Sequence, residues 1–234
     1  MSVRVVAGQV VVIAGGGLGV GSAAARVIAQ AGGEAIVAQP GAGKGLTEGP
    51  FALGRISIAQ GTSPGEVCEA TMRDLHRLDA LVYSAAPALV SPYWQLDDTA
   101  WSRGVTEPLL DAHRWVRAAM LQMREQRFGR IVIIGPAAGL EPHDDRVATS
   151  TLGGALCGFV ESLAYAGLRS NVQSYALRLG VRSVEVAEAP DPLWPELGPR
   201  LIDLLGGRLE LPSGGTLDIG AAETTADARR EGGR

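Results

Sequence analysis

Lysine is almost missing from this chain. Of its 21 lysine and arginine residues, Lys44 is the single lysine. Chemistry that depends on a lysine ammonium therefore has one place to occur. Cysteine is nearly as scarce: Cys68 and Cys157 fit neither a metal-ligand spacing nor a disulfide framework. No run of eighteen or more apolar residues is present, which argues against a membrane span. A net charge of −4 gives no basic surplus for a nucleic-acid backbone. Ser2 to Gly8 leads straight into an apolar strand without a basic-then-apolar leader, so the expected location is cytoplasmic.

What is present is one core's worth of chain. The 234 residues fit a single domain better than two, here set at residues 1–220. The remaining residues, 221–234, are polar and glycine-containing and read as a disordered tail. Short apolar runs predict strands at Val10–Ile13, Glu34–Ala38, Arg55–Ala59, Asp79–Tyr83, Arg130–Ile134, Val172–Leu177 and Thr216–Ile219. Between them, helical spacing predicts helices after Leu18, from Ser63 to Leu78 with Pro64 in the first turn, and from Trp101 to Phe128 with a break at Pro108. Further helices are predicted over Gly153–Leu168 and Leu197–Leu205. The stretch Gly41–Gly54, rich in glycine and proline, reads as a loop. Alternating elements with continuously apolar strands imply an α/β fold, a doubly wound parallel sheet covered on both faces.

The first strand runs into Ala14-Gly15-Gly16-Gly17-Leu18-Gly19-Val20-Gly21, then a helix rich in small residues. A glycine turn between a buried strand and a helix suits a dinucleotide phosphate. Glycine permits positive φ and close approach, and the helix start offers free N–H groups and a positive dipole end. Gly15, Leu18, Gly19 and Gly21 are the candidate cofactor-binding residues. A tight turn without any ligand is the competing explanation.

With Gly15, Gly19 and Gly21 spaced G-x-x-x-G-x-G, the turn resembles that of the short-chain dehydrogenase/reductase family, with Ala14 in the usual threonine position. Other stretches match in the same order. Asp79-Ala80-Leu81-Val82 stands where the family leads into N-N-A-G, and Gly129–Ile134 (GRIVII) matches its G-R-I-V strand. Gly153–Ala164 follows the helix that carries the family's catalytic lysine, and Ser213–Gly220 resembles its closing strand. The resemblance covers about residues 8–222 and implies a Rossmann-type three-layer αβα domain.

It also implies a catalytic tyrosine, a lysine four residues on that lowers its pKa, a serine after the fifth strand and an asparagine in the central helix. A phenol of pKa near ~10 needs such a cation to work at neutral pH. Aligned on the flanking matches, Pro136 occupies the serine position, Thr149 the tyrosine, Gly153 the lysine and Pro108 the asparagine. No tyrosine lies four residues before Lys44, so Y-x-x-x-K occurs nowhere in the chain. Tyr165-x-x-x-Arg169 is the nearest substitute but falls at the far end of its helix. Halohydrin dehalogenases, which dispense with nicotinamide, resemble the family too, but their Ser, Tyr and Arg are missing here as well.

The cofactor positions are altered in parallel. Gln39-Pro40 ends the second strand where an acid or base would select the ribose, Gln60 stands where an Asp usually meets adenine, and Tyr83-Ser84-Ala85-Ala86 replaces N-N-A-G, putting a ring near the groove. The segment Gly180–Ser213 is short for a substrate lid and, with Glu185, Glu188 and Pro190, Pro192, Pro195 and Pro199, reads as a rigid connector. Glu141, His143, Asp144 and Asp145 could form a new acid–base or metal group, or simply a solvated loop. His76 and His113 read as surface residues, and Trp94, Trp101 and Trp115 as core or contact aromatics. The resemblance further implies subunit contacts through Leu109–Met123, Ser150–Leu168 and the closing strand.

Together these give no catalytic residues and no metal, with no cofactor expected or NAD/NADP weakly bound. The expected role is a structural or regulatory partner of an active paralogue, or of a second copy, in a dimer or tetramer. A non-catalytic dinucleotide sensor and an oxidoreductase with relocated residues remain open.

Overall fold

The computed structural model describes residues 6–15, 18–40, 45–48, 55–61, 63–85, 89–136, 144–180 and 194–220. The expected tail at 221–234, most of the connector before Trp194, and Glu141 and His143 lie outside them.

Among the described residues eight strands form one sheet: β1 (Val10–Gly15), β2 (Glu34–Pro40), β3 (Gly45–Glu48), β4 (Arg55–Gly61), β5 (Ala80–Ser84), β6 (Gly129–Pro136), β7 (Val172–Leu179) and β8 (Thr216–Ile219). Their order is β3-β4-β2-β1-β5-β6-β7-β8. Every pairing is parallel except β3 with β4. The α-helices among the described residues are α1 (Leu18–Gln30), α2 (Pro64–Leu75), α3 (Asp98–Trp101), α4 (Glu107–Gln126), α5 (Val147–Gly167) and α6 (Trp194–Leu205).

Side chains of β1 alternate between two buried clusters. Val11 and Ile13 face α1 and α6 with Ala24, Ile28, Leu201 and Leu205. Val10, Val12 and Ala14 face α2, α4 and α5 with Val67, Val116, Met123, Leu152 and Leu156. Both sheet faces are therefore dry, which is why the strands read as unbroken apolar runs.

Three details depart from expectation. The loop predicted at Gly41–Gly54 contains β3, so the sheet has one antiparallel edge strand. Four residues beginning with glycine carry too little alternation to read as a strand. The break in the central helix lies upstream of Pro108: a π-helical turn spans Ser102–Thr106 and runs directly into α4, so Pro108, which has no N–H to donate, follows the widened turn. Helix α5 begins six residues before the predicted Gly153. With the 3-10 turn that follows, Val147–Ser170 is also long and apolar enough, by length and a mean hydropathy of 1.3, to cross a membrane. Counting consecutive apolar residues missed this because Thr, Ser and Gly interrupt the run. One side of this helix is committed to the sheet through Ala148, Leu152, Leu156 and Val160.

Helix α2 is capped at its start, with Ser63 Oγ accepting the Glu66 N–H. At the amino ends of the strands, buried Asp79 accepts the Val10 N–H at 2.8 Å and a two-pronged contact from Arg77 at 2.7 and 2.8 Å. That clamp fixes the start of β1 against β5 and faces away from the candidate site.

Candidate functional site

The strand order reverses between β1 and β5, and in open α/β sheets ligands sit in the crevice beyond the carboxyl ends at such a point. The two strands end on the register pair Gly15 and Ser84. Gly15 has φ +84°, and a Cβ there would lie 2.2 Å from the Ser84 carbonyl oxygen and 2.7 Å from the Tyr83 ring. Leu18 and Gly19 open α1 immediately beyond. Gly21 follows within the helix, where a Cβ would make an ordinary 3.6 Å contact with Ile13. The sequence-predicted cofactor residues thus share one strand–turn–helix corner. Gly16 and Gly17 lie outside the described residues.

Tyr83 leaves the crevice and turns into the core. It is 1% exposed, and its hydroxyl lies 3.0 Å from the Asp111 carboxylate and 3.2 Å from the Pro108 carbonyl oxygen, both on α4. Burial first, then the Asp111 charge, holds its pKa far above the ordinary phenol value. This phenol stays protonated and is no acid–base catalyst near neutral pH. The ring therefore packs in the core beneath Gly15 and does not fill the crevice.

The four positions marked for catalysis lie at the ends of β6 and the starts of α4 and α5. Pro136 is the last residue of β6 and is buried. Thr149, 2% exposed on α5, donates its hydroxyl to the Leu89 carbonyl at 2.8 Å. A Cβ on Gly153 would lie 2.6 Å from the Pro136 carbonyl oxygen. Helix and strand are therefore in contact where a side chain at 153 would have to emerge. Pro108 contributes only its carbonyl, taken by Tyr83.

The segment after β5 is tied across the same region. Ser91 N–H donates to Asp145 O at 2.7 Å, and Tyr93 N–H to Asp144 O at 3.3 Å. A Cβ on Gly104 would meet the Leu89 side chain at 3.0 Å. Leu89 is thus wedged between the π-helical turn and α5.

Other predicted candidates are dispersed. Asp144 is exposed, and Tyr165 is 83% exposed on the outer side of α5. His76 closes α2 at φ 59° and His113 is exposed on α4. Trp94 is 73% exposed and belongs to no core, whereas Trp115 packs against the cluster beneath the sheet. Among the described residues no group of His, Cys, Asp and Glu is arranged to hold a metal. Cys68 is buried, which together with Glu69 pushes its thiol up to about 12. Sequence reasoning missed Asp79 and Asp111. An acid heading an apolar strand two residues after Arg77 was the available signal for the first; nothing local marks the second.

The geometry defines a class: a doubly wound α/β domain with a glycine corner at its switch point. The family model for short chain dehydrogenase matches residues 9–191, and the chain belongs to that family. Among curated relatives, 2,3-dihydro-2,3-dihydroxybenzoate dehydrogenase of Escherichia coli is 28% identical over 176 residues, covering 71% of this chain and 68% of the relative. Peroxisomal hydratase-dehydrogenase-epimerase of Neurospora crassa is 26% identical over 202 residues, 80% of this chain. The match spans only 23% of that longer protein's length. Solved structures with the same fold include a short chain dehydrogenase from Mycobacterium smegmatis (TM-score 0.74, 20% identity, 93% of this chain and 94% of that one). A structure described as a dehalogenation enzyme has a TM-score of 0.73 at 20% identity and covers 92% of this chain and 97% of that one.

Proposed function

We propose that this chain is a catalytically deficient short-chain dehydrogenase subunit. It serves as a structural or regulatory partner of an active NAD(P)-dependent relative in a hetero-oligomer. The observation that carries this is the closed junction between Gly153 and Pro136: the position assigned to the catalytic lysine has no room for a side chain. Thr149, at the tyrosine position, has an aliphatic hydroxyl already committed to Leu89. With neither a phenol nor a cation at these positions, no residue there moves a proton to or from a carbonyl.

The alternative is a non-catalytic dinucleotide-binding subunit, favoured by the corner at Gly15 and the start of α1 at Leu18 and Gly19. That corner suits a pyrophosphate. At the other end, Gly153 and Pro136 offer nothing to hold a nicotinamide ribose. A dinucleotide would then be bound, if at all, through its phosphates and weakly. An oxidoreductase using relocated residues is a third possibility, motivated by relatives named as dehydrogenases; the exposure of Tyr165 and Asp144 speaks against those two as its catalysts.

Calorimetric titration of the isolated chain with NAD(H) and NADP(H), paired with a turnover assay on secondary alcohols and ketones, tests these. The expected result is no binding at millimolar nucleotide and no turnover. Micromolar binding without turnover favours the alternative, and turnover by the isolated chain overturns the proposal.

A further inference from the structure

The segment that leaves β5 enters a 3-10 turn, Tyr93–Gln95, none of whose residues is buried. Within five residues it exposes three large apolar side chains: Val90 is 47% exposed, Tyr93 59% and Trp94 73%. Its backbone is nonetheless pinned from both sides. The Ser91 and Tyr93 N–H groups donate to the Asp145 and Asp144 carbonyls, and Gln95 and Leu96 close the turn onto Pro92 and Tyr93. Immediately beyond, Asp97 Oδ1 accepts the Ala100 N–H at 2.7 Å and caps α3. Rings that add nothing to the core, on a backbone held in place, make a preorganised surface for something outside the subunit. This turn is separate from α4 and α5, whose outer sides the family resemblance already assigns to subunit contacts.

Charge decides what the surface takes. Asp97 and Asp98 follow the turn, Asp144 lies against it through the Tyr93 contact, and all three are exposed. Neither Asp98 nor Asp144 has a base within ion-pair distance among the described residues. Of the arginines nearest in the chain, Arg146 is 15% exposed and lies 3.8 Å from Asp145, and Arg103 belongs to the π-helical turn. An exposed indole beside unpaired carboxylates attracts a guanidinium or ammonium twice, through the ring quadrupole and through charge. The same carboxylates repel an acidic chain or an anionic lipid surface.

We infer that the Tyr93–Trp94 turn docks a basic segment of the partner chain, with an arginine or lysine stacked on Trp94 and facing Asp98 and Asp144. This deepens the proposed role as a hetero-oligomeric subunit and rests on it. The aromatic pair supplies contact area and the carboxylates select the sign of the partner's charge.

Acetylated, amidated hexa-arginine is the probe, titrated into the full chain by calorimetry at low and high salt. The expected result is saturable one-to-one binding that salt weakens. Trp94→Ala and the double change Asp98→Asn/Asp144→Asn each weaken it by about tenfold or more, and Trp94→Tyr, which keeps a ring, by less than about threefold. Glu69→Gln/Glu125→Gln makes the same charge change at exposed positions on α2 and α4 and leaves the affinity unchanged. Circular dichroism establishes that each variant is folded. Equal affinity of Trp94→Ala and wild type overturns the inference, as does no binding at millimolar peptide. Equal binding of a neutral apolar peptide, acetylated Gly-Leu repeats, refutes the charge selection on which it depends. Wild-type self-association that Trp94→Ala abolishes, followed by sedimentation velocity, gives the turn to a second copy instead. A tryptophan fluorescence shift with phosphatidylcholine vesicles that Trp94→Ala loses gives it to a membrane surface, and either result sinks the proposal. Turnover by the isolated chain is a separate readout, so failure of the proposed function and failure of this inference are told apart.

Discussion

Gly153→Ala isolates the feature on which the functional proposal depends. The substitution adds one methyl group on the inner side of α5, 2.6 Å from a backbone carbonyl oxygen that belongs to β6. A carbon does not approach an oxygen so closely, so strand or helix must shift by several tenths of an ångström. Neither can do so cheaply, because β6 is hydrogen-bonded on both sides to β5 and β7. Helix propensity pulls the other way, favouring alanine by about 1 kcal/mol. Overpacking a tight junction costs ~1–3 kcal/mol, so the net effect runs from about zero to a loss of about 2 kcal/mol, and Tm falls by up to roughly 8 °C. The same helix supplies the control. A Cβ at Gly154 or Gly158 meets nothing within 4 Å, so alanine there gains its propensity unopposed and raises Tm by roughly 2–4 °C. Thermal and urea melts of the three single variants give the answer. If Gly153→Ala stabilises as much as Gly154→Ala, the junction is open and a lysine at 153 would have had room. With the junction closed, the triple change Pro136→Ser/Thr149→Tyr/Gly153→Lys restores the residue types without restoring turnover.

Other perturbations give distinct signals. Asp79→Ala leaves the buried Val10 N–H unpaired and releases Arg77, and should cost about 2–3 kcal/mol in urea denaturation. Tyr83→Phe removes only the hydroxyl and should cost about 1–2 kcal/mol, since half-buried Asp111 can take water in its place. Alkaline stability has a defined sign. Folding raises the Cys68 thiol from an ordinary 9.0 to about 12, so the neutral thiol's contribution is complete below pH 9 and is lost as pH rises toward 12. The slope is about 1.4 kcal/mol per pH unit, and Tyr83, also raised by burial, adds in the same direction at higher pH. Urea midpoints from about pH 8 to pH 11 should fall less steeply in Cys68→Ala than in the wild type.

The sheet was legible in the sequence because both of its faces are buried. Runs such as Val10–Ile13 and Arg130–Ile134 need no partner information to read as strands, and all seven expected strands are present. Strand β3 was not legible, because an edge strand of four residues takes its conformation from β4 rather than from its own side chains. Pro136, Thr149 and Gly153 could be assigned to the family's catalytic positions only through the resemblance and its flanking matches. Their closure could not be read in this way, because 2.6 Å between helix and strand depends on how α5 seats on the sheet. The inward turn of Tyr83 was hidden for a similar reason. Its partner Asp111 is 28 residues away, and only the docking of α4 brings the two together.

The glycine corner is the feature most easily taken as proof of a bound dinucleotide, and here its first glycine is required without one. At φ +84° an L-residue is strained, and a Cβ at 15 would collide with the Ser84 carbonyl oxygen at 2.2 Å and the Tyr83 ring at 2.7 Å. Packing of β1 on β5 over a buried tyrosine is enough to demand glycine. Gly15→Ala should therefore cost roughly 3 kcal/mol or more in samples free of nucleotide, through the left-handed penalty and the clash together. Gly21, whose added Cβ would make only an ordinary contact, should accept alanine with little change. If Gly15→Ala were instead as stable as the wild type and lost only nucleotide affinity, the corner would belong to the ligand and the dinucleotide-binding alternative would take precedence. Loss of stability without nucleotide leaves the corner to architecture, and the binding titration is then the measurement that bears on a cofactor.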